Sequence, residues 1–304
     1  MEPADGQALS PGQSGNAGAC PPAEGGLAHL AGWIGRSETS DDTLGAAPVV
    51  ALSALLDRED PPPRAGDALP PLAHWLYFLP TQRQSALGPD GHGARGEFLP
   101  PVPLPRRMWA GSRIEFLRPL AIGEAVRRVS RIAAVTVKAG RSGPLVFVTV
   151  RHEVSGPGGL AITDEHDIVY RGAAGPAVTP PVPAPAGEAW KREIRPDPVL
   201  LFRYSAVTFN GHRIHYDQPY ATRVEGYPGL VVHGPLVATL LVDLLRRHRP
   251  GADLASFSFR ALRPLFDTAP FRVCGQPDDD ARCAKLWTRD ADGAITMEAT
   301  AAWR

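Results

Sequence analysis

The chain has 304 residues, enough for two ordinary domains or one large one. Apolar residues make up 43% and charged ones 21%, so most of the chain can bury a globular core. The 32 basic residues balance 32 acidic ones, which argues against a protein that tracks nucleic acid. Cys20, Cys274 and Cys283 form no Cys-x-x-Cys pair. Neither a disulfide framework nor a structural zinc knuckle is expected, and a reducing cytoplasm fits. The opening MEPADG lacks the apolar core of a secretory signal, and no apolar run reaches the length of a bilayer span, so no membrane association is expected.

In chain order, residues 1–27 are rich in Gly, Pro, Ala and Ser and read as a tail with little to bury. Residues 28–172 read as a first domain, a degenerate half. Within it, three strands are expected at Ala125–Val137, Leu145–Val154 and Ala161–Tyr170, separated by the turn-like KAGRSGP and SGPGG. Val146, Val148 and Val150 alternate with Thr149, Arg151 and Glu153, the period of a sheet with one face in water. Residues 173–190 carry the string AAGPAVTPPVPAPAG, whose five prolines make it a semi-stiff linker.

Residues 191–304 read as a second domain. It opens with TFNGHRIHYD (Thr208–Asp217) and GYPGLVVHGP (Gly226–Pro235). A helix follows over Pro235–Arg249, with Pro235 suited to its first turn and Pro250-Gly251 to its stop. Leu236, Val237, Leu240, Leu241, Leu244 and Leu245 give it a wide apolar stripe. Four strands are expected after it: Leu254–Leu262, Phe271–Gln276, Ala281–Thr288 and Ala294–Trp303. One long helix followed by an antiparallel meander is an α+β unit. LRPL occurs at Leu117–Leu120 and again at Leu262–Leu265, 145 residues later, each time after a strand-like run. This points to an internal duplication, whose two sheets can join edge to edge.

The polar strings of the second half hold the candidate chemistry. His233-Gly234 lies at the mouth of the helix, where free N–H groups and a partial positive charge favour an oxygen that becomes negative during reaction. A histidine nearby, His215, can move a proton at neutral pH. Water addition to an α,β-unsaturated thioester needs both. His212, His215 and His233 are separated by 3 and 18 residues, which matches no common zinc pattern, so no metal is expected. Asn210 reads equally as an ordinary Asn-Gly turn residue. Asp217 can orient an imidazole or cap a turn. The run Arg246-Arg247-His248-Arg249 can bind phosphates or complement the helix C-terminus, and Arg106, Arg107, Arg113, Arg260 and Arg263 are further phosphate candidates.

TFNGHRIHYD followed by EGYPGLVVHGP resembles the MaoC-like hotdog-fold hydratases and dehydratases. LPPLAHWLYFLPT, LGPDGH and FLPPVPLPRRMWAGSRIEF in the first half resemble its branch of hydroxyacyl-thioester dehydratases type 2 and mesaconyl-C4-CoA hydratases. The resemblance covers most of residues 30–304. It implies a double hotdog, two tandem units each with a long helix on a curved antiparallel sheet, and an acyl-CoA bound between the halves. It implies His215 as the proton-transfer residue and Gly234 as the oxyanion N–H. Asn210 stands where the family has a catalytic aspartate, and an amide positions water but cannot exchange a proton at pH 7. Tyr227, Gly229, Val232, His233 and Asp217 are the implied substrate-binding residues, with His233 either touching substrate or pinning the loop. The implied activity is reversible hydration of a short branched or dicarboxylic enoyl-CoA, without metal or redox cofactor. A fatty-acid-type dehydratase, a thioesterase and an inactive acyl-CoA-binding module are the alternatives. A homodimer through exposed sheet edges is compatible.

Overall fold

The computed structural model describes residues 24–140, 143–172, 180–278, 280 and 282–304. Most of the 1–27 tail and the first part of the linker therefore lie outside the described residues. Ten antiparallel strands form one sheet in the order β1-β3-β4-β5-β2-β7-β10-β9-β8-β6. The first unit contributes β1 (Ser37–Thr43), β2 (Arg106–Phe116), β3 (Ala125–Gly140), β4 (Gly143–Gly156) and β5 (Gly159–Arg171). The second contributes β6 (Trp190–Ile194), β7 (Leu254–Ala261), β8 (Phe271–Asp278), β9 (Cys283–Arg289) and β10 (Ile295–Trp303). From the centre outward the order is 2-5-4-3-1 on one side and 7-10-9-8-6 on the other, so the same five-stranded pattern occurs twice. The two join through β2 and β7, in a register that runs from Gly111 opposite Arg260 to Glu115 opposite Ser256.

The LRPL strings mark equivalent points of the two units. Leu117 and Arg118 both donate their N–H to the carbonyl of Ala161 (2.7 and 3.2 Å), and Leu262 and Arg263 both donate to that of Thr296 (2.9 and 3.1 Å). Leu69 N–H meets the Leu120 carbonyl at 2.7 Å just as Val232 N–H meets that of Leu265 at 2.8 Å. Counting on two residues from each, Pro71 occupies the place of Gly234.

At that point the units part company. In the second, α3 (Gly234–His248) begins, and every residue from Leu236 to Leu245 is buried against the sheet. In the first, Pro70-Pro71 and the later Pro80, Pro89, Pro100, Pro101, Pro103 and Pro105 leave no proline-free stretch as long as α3. Only 3-10 turns form there, at Ala73–Leu76 and Gln84–Ala86. A long helix in each unit was expected, and the first unit has none. Its helix, α1 (Ala46–Leu55), has ten residues and packs on α2 (Pro198–Val207) of the second unit.

One apolar core runs through both units and includes Leu52, Leu76, Ile114, Leu241, Phe257 and Met297. A second lies under residues 24–33, where Leu27 and Leu30 cover Val146, Val148, Val150 and Tyr170. The valine face of β4 is thus dry because the neighbouring segment folds over it, and Leu27, assigned to the tail, is part of the core. No helix among the described residues is long and apolar enough to cross a membrane.

The C-terminal end of α3 ties the halves together. Asp243, 1% exposed, accepts from Arg58 of the first unit (2.8 Å), Arg192 (2.9 Å) and Arg247 (2.7 Å). Arg247 also donates to the Leu56 carbonyl, and His248 stacks on Trp190 with ring centroids 5.1 Å apart. Arg246 faces Asp60 at 3.7 Å. The basic run read as a phosphate candidate is therefore engaged in packing α3 against α1 and β6.

Candidate active site

A cavity of about 340 Å3 opens at the start of α3, between the two units. His215, Asn210, Val232 and Gly234 of the sequence-derived set line it. Gly234 is the first residue of α3, so no carbonyl within the helix can accept its N–H. A Cβ added at Gly234 would make only an ordinary contact, 3.6 Å from the Trp109 carbonyl oxygen. The glycine is thus not demanded by space.

His215 ends a 3-10 turn, Arg213–His215. Its Nδ1 lies 2.7 Å from the Val231 carbonyl. A carbonyl only accepts, so Nδ1 carries the proton and Nε2 is left as the basic atom. Burial pushes the imidazole down to about 4, against the opposing pull of the Val231 carbonyl. The ring is therefore neutral at pH 7, with Nε2 unprotonated. His233 stacks beneath it, with ring centroids 3.7 Å apart and planes at 17°. His233 is fully buried, bonded through Nε2 to Ser205 Oγ at 2.9 Å, and held neutral by burial. It packs against His215 at the entry to α3 and is not among the residues lining the cavity.

The remaining sequence-derived residues lie behind the wall. Asp217 accepts from Arg213 (2.7 and 2.9 Å) and from the Tyr220 N–H (3.1 Å), so it caps a turn and does not bond His215. Tyr227 packs against the cluster of Ile214, Tyr220 and Val231. Gly229 is small because Asp267 reaches past it to the Leu230 N–H at 2.8 Å, and a Cβ there would lie 2.3 Å from the Asp267 carboxylate. These three shape the loop that carries His215 and do not line the cavity. Asn210 does line it, and its Oδ1 accepts the His212 N–H at 3.0 Å, so it also makes the Asn-Gly turn.

The sequence reading missed the first unit's contribution. Residues 87–93, LGPDGH plus Gly93, form a tight loop that docks on the His215 segment. The Asp90 carbonyl accepts the Arg213 N–H at 3.0 Å, and Gly91 and Gly211 touch backbone to backbone. This brings His92 to the cavity wall, with its Nδ1 3.0 Å from Asp90 Oδ2. The His92 and His212 rings lie 4.1 Å apart, and those of His212 and His215 5.3 Å. Burial lowers the His92 and His212 imidazoles; burial also opposes ionisation of Asp90, but the His92 contact outweighs it and keeps that carboxyl low. The histidine set with cation-site spacing among the described residues is thus Asp90, His92 and His212, within 4.8 Å of one another, and not His212, His215 and His233. The only signal in the sequence was the polar string LGPDGH itself.

Of the phosphate candidates, Arg106 pairs with Glu225, Arg113 with Glu165 and Asp167, and Arg260 with Glu298. Arg107 and Arg263 line the cavity, and Nη1 of Arg263 is buried without a hydrogen-bond partner. At the far wall Trp109 packs against His166 with the rings tilted (centroids 3.9 Å apart, planes at 35°) and meets Trp75 edge-on (5.0 Å). Trp109 and His166 separate this cavity from a second, of about 150 Å3, inside the first unit.

The first unit does not repeat the N–H at the mouth of α3. Pro71, at the place of Gly234, has no N–H to give an oxyanion.

The family model for hydroxyacyl-thioester dehydratase type 2 matches residues 72–267. The chain is 52% identical over 270 residues to the mesaconyl-C(4)-CoA hydratase of Chloroflexus aurantiacus, covering 88% of this chain and 95% of that protein. It is 28% identical over 232 residues to the mitochondrial hydroxyacyl-thioester dehydratase type 2 of Schizosaccharomyces pombe, covering 68% of this chain and 77% of that one. Among solved structures, HtdX of Mycobacterium tuberculosis superposes with a TM-score of 0.62 at 22% identity, over 88% of this chain and all of that one. A second Mycobacterium tuberculosis protein, described as a double hotdog, does so with a TM-score of 0.55 at 14% identity, over 89% of this chain and 96% of that one. The fold is a double hotdog, and the chain belongs to the hydroxyacyl-thioester dehydratase type 2 family.

Proposed function

We propose that this hydro-lyase adds water reversibly to mesaconyl-C4-CoA or a closely related short, branched dicarboxylic enoyl-CoA, without a metal or redox cofactor. The reading is supported by the hydratase relative, half identical along nearly its whole length. The observation that carries it is the unpartnered Nη1 of Arg263 in the cavity that holds His215 and Gly234. A buried guanidinium N–H without a partner is costly, and an anion relieves that cost. The free carboxylate of a dicarboxylic acyl group is such an anion.

In this reading the thioester carbonyl accepts the Gly234 N–H at the positive end of α3. Water attacks Cβ as His215 Nε2 takes its proton. The alkene electrons pass to the thioester oxygen, giving an enolate held by that N–H. The enolate collapses as Cα takes the proton back from His215. One water is consumed and the imidazole returns to its starting state. The wall of Trp109 and His166 favours a short acyl group. The enzyme acts on soluble acyl-CoA in the cytoplasm.

The test is a spectrophotometric panel of enoyl-CoAs. Mesaconyl-C4-CoA is expected to be consumed faster than crotonyl-CoA, without release of free thiol. Arg263→Gln is expected to raise KM for the dicarboxylic substrate and to leave crotonyl-CoA almost unchanged. Thiol release with intact alkene would establish a thioesterase instead, and equal loss on both substrates would move Arg263 to the coenzyme A phosphates.

A further inference from the structure

We propose that His92, oriented by Asp90, is the second side chain that handles the reacting water. This rests on the hydratase reading above. A water aimed at Cβ through a lone pair is held best when each of its two O–H bonds has an acceptor. Addition breaks one of these bonds and keeps the other. The released proton goes to His215 Nε2 and then to Cα, while the second hydrogen stays on oxygen as the product hydroxyl. His215 can accept only one of the two.

Two further histidines line the cavity on the His215 side, His212 and His92, and of these His92 has its ring proton fixed by a carboxylate, which makes its other nitrogen an acceptor. Its Nδ1 faces the Asp90 carboxylate at 3.0 Å, which fixes the proton on Nδ1 and frees Nε2. The second Asp90 oxygen accepts the backbone N–H of His92 at 3.0 Å, so the carboxylate is committed to this one residue. Asn210 has its carbonyl oxygen on the His212 N–H. His166 bonds Asp164 at 2.8 Å and packs among Trp75, Trp109 and His152, on the wall shared with the second cavity. His92 instead lies against His212, which meets His215 edge-on.

The loop that carries His92 is built to a fixed position. Gly91 has φ +86°, and its backbone meets Gly211 so closely that a Cβ would sit 1.9 Å from the Gly211 carbonyl oxygen. Arg213 holds the loop from the other side, donating its N–H to the Asp90 carbonyl and its Nη1 to that of Pro89 (3.0 and 2.9 Å). Asp90 is thus a positioning residue and His92 a catalytic one. The first unit, which has no catalytic helix of its own, supplies a working part of the second unit's site.

Two substitutions separate this role from a structural one. Asparagine places its amide where Nδ1 was, keeping the Asp90 contact and removing Nε2. Glutamine places a polar atom near Nε2 and gives up the Asp90 contact. On whichever enoyl-CoA the wild-type enzyme hydrates, His92→Asn is expected to lower kcat about 100-fold with KM within about threefold, and His92→Gln to lower it about tenfold or less. Asp90→Asn is expected to lower kcat about tenfold at unchanged KM. The opposite order, His92→Asn tolerated and His92→Gln inactive, would reduce the pair to a loop tie and overturn the proposal. If His92→Asn does not fold, His92→Gln decides, with retained turnover supporting the proposal and lost turnover overturning it. Activity lost to EDTA and restored by zinc would also overturn it, since Asp90, His92 and His212 would then hold a metal. A wild-type protein that hydrates no enoyl-CoA sinks both this proposal and the hydratase reading, whereas an active enzyme indifferent to His92→Asn sinks this one alone.

Discussion

Gly91 of the first unit and Gly211 of the second touch through their backbones, and that contact sets the His92 loop against the segment carrying His215. Neither position has room for a side chain. Gly91→Ala places a Cβ in the Gly211 carbonyl and strains a left-handed residue. The expected cost is about 2–4 kcal/mol of stability, the range of severe backbone and packing clashes, with hydration slowed at least tenfold. Denaturant melts and steady-state rates of the variant check both. Equal activity would mean that the loop is free to move away from the site.

Gly234 separates backbone chemistry from packing. Gly234→Ala keeps the N–H and meets only an ordinary contact with the Trp109 carbonyl, so kcat is expected within about threefold of wild type. Gly234→Pro fits the first helical turn but removes the N–H. It is expected to lower kcat by about 100- to 1000-fold, the scale for loss of one oxyanion donor. Similar kcat values for the two variants would show that the N–H does not polarise the thioester.

The histidines make the fold sensitive to acid. His215 falls from an ordinary 6.5 to about 4 in the folded chain, so between these values the unfolded chain binds more protons. Its contribution is present in full above pH 6.5 and is lost as pH falls towards 4, up to about 3 kcal/mol for this group alone. Burial acts in the same direction on His152 and His233. The urea midpoint is therefore expected to drop between pH 7 and pH 4.5, and less so in His215→Asn. A midpoint unchanged over that range would mean that these rings are not held neutral.

Asp243 collects Arg58, Arg192 and Arg247 at the far end of α3. Asp243→Ala leaves these cations without their shared buried partner, and about 3–5 kcal/mol of stability is expected to go, as for other broken buried pairs. A small effect in thermal or urea unfolding would show that water reaches the cluster.

Regular alternation and the apolar helix stripe made seven of the ten strands, β3–β5 and β7–β10, legible together with α3, because local pattern and burial agree there. β1, SETSDDT, carries no apolar alternation and pairs at an edge, and β6 is five residues long, so neither announces itself. The duplication was legible in LRPL because both copies make the same backbone turn. The missing helix of the first unit was written in its prolines, but analogy with the second unit masked it. Of the cavity lining, His215, Asn210, Val232 and Gly234 were named from two adjacent strings. Asp90 and His92 were not, since their approach to His215 depends on two glycines 120 residues apart in the chain.

The most direct measurement is the rate of mesaconyl-C4-CoA hydration by wild type and by His215→Asn, which keeps an amide near the Val231 carbonyl but removes Nε2. The account expects rapid consumption by wild type, a loss of at least about 1000-fold in the variant, and coenzyme A binding that stays the same. Turnover by the variant close to the wild-type rate would contradict it.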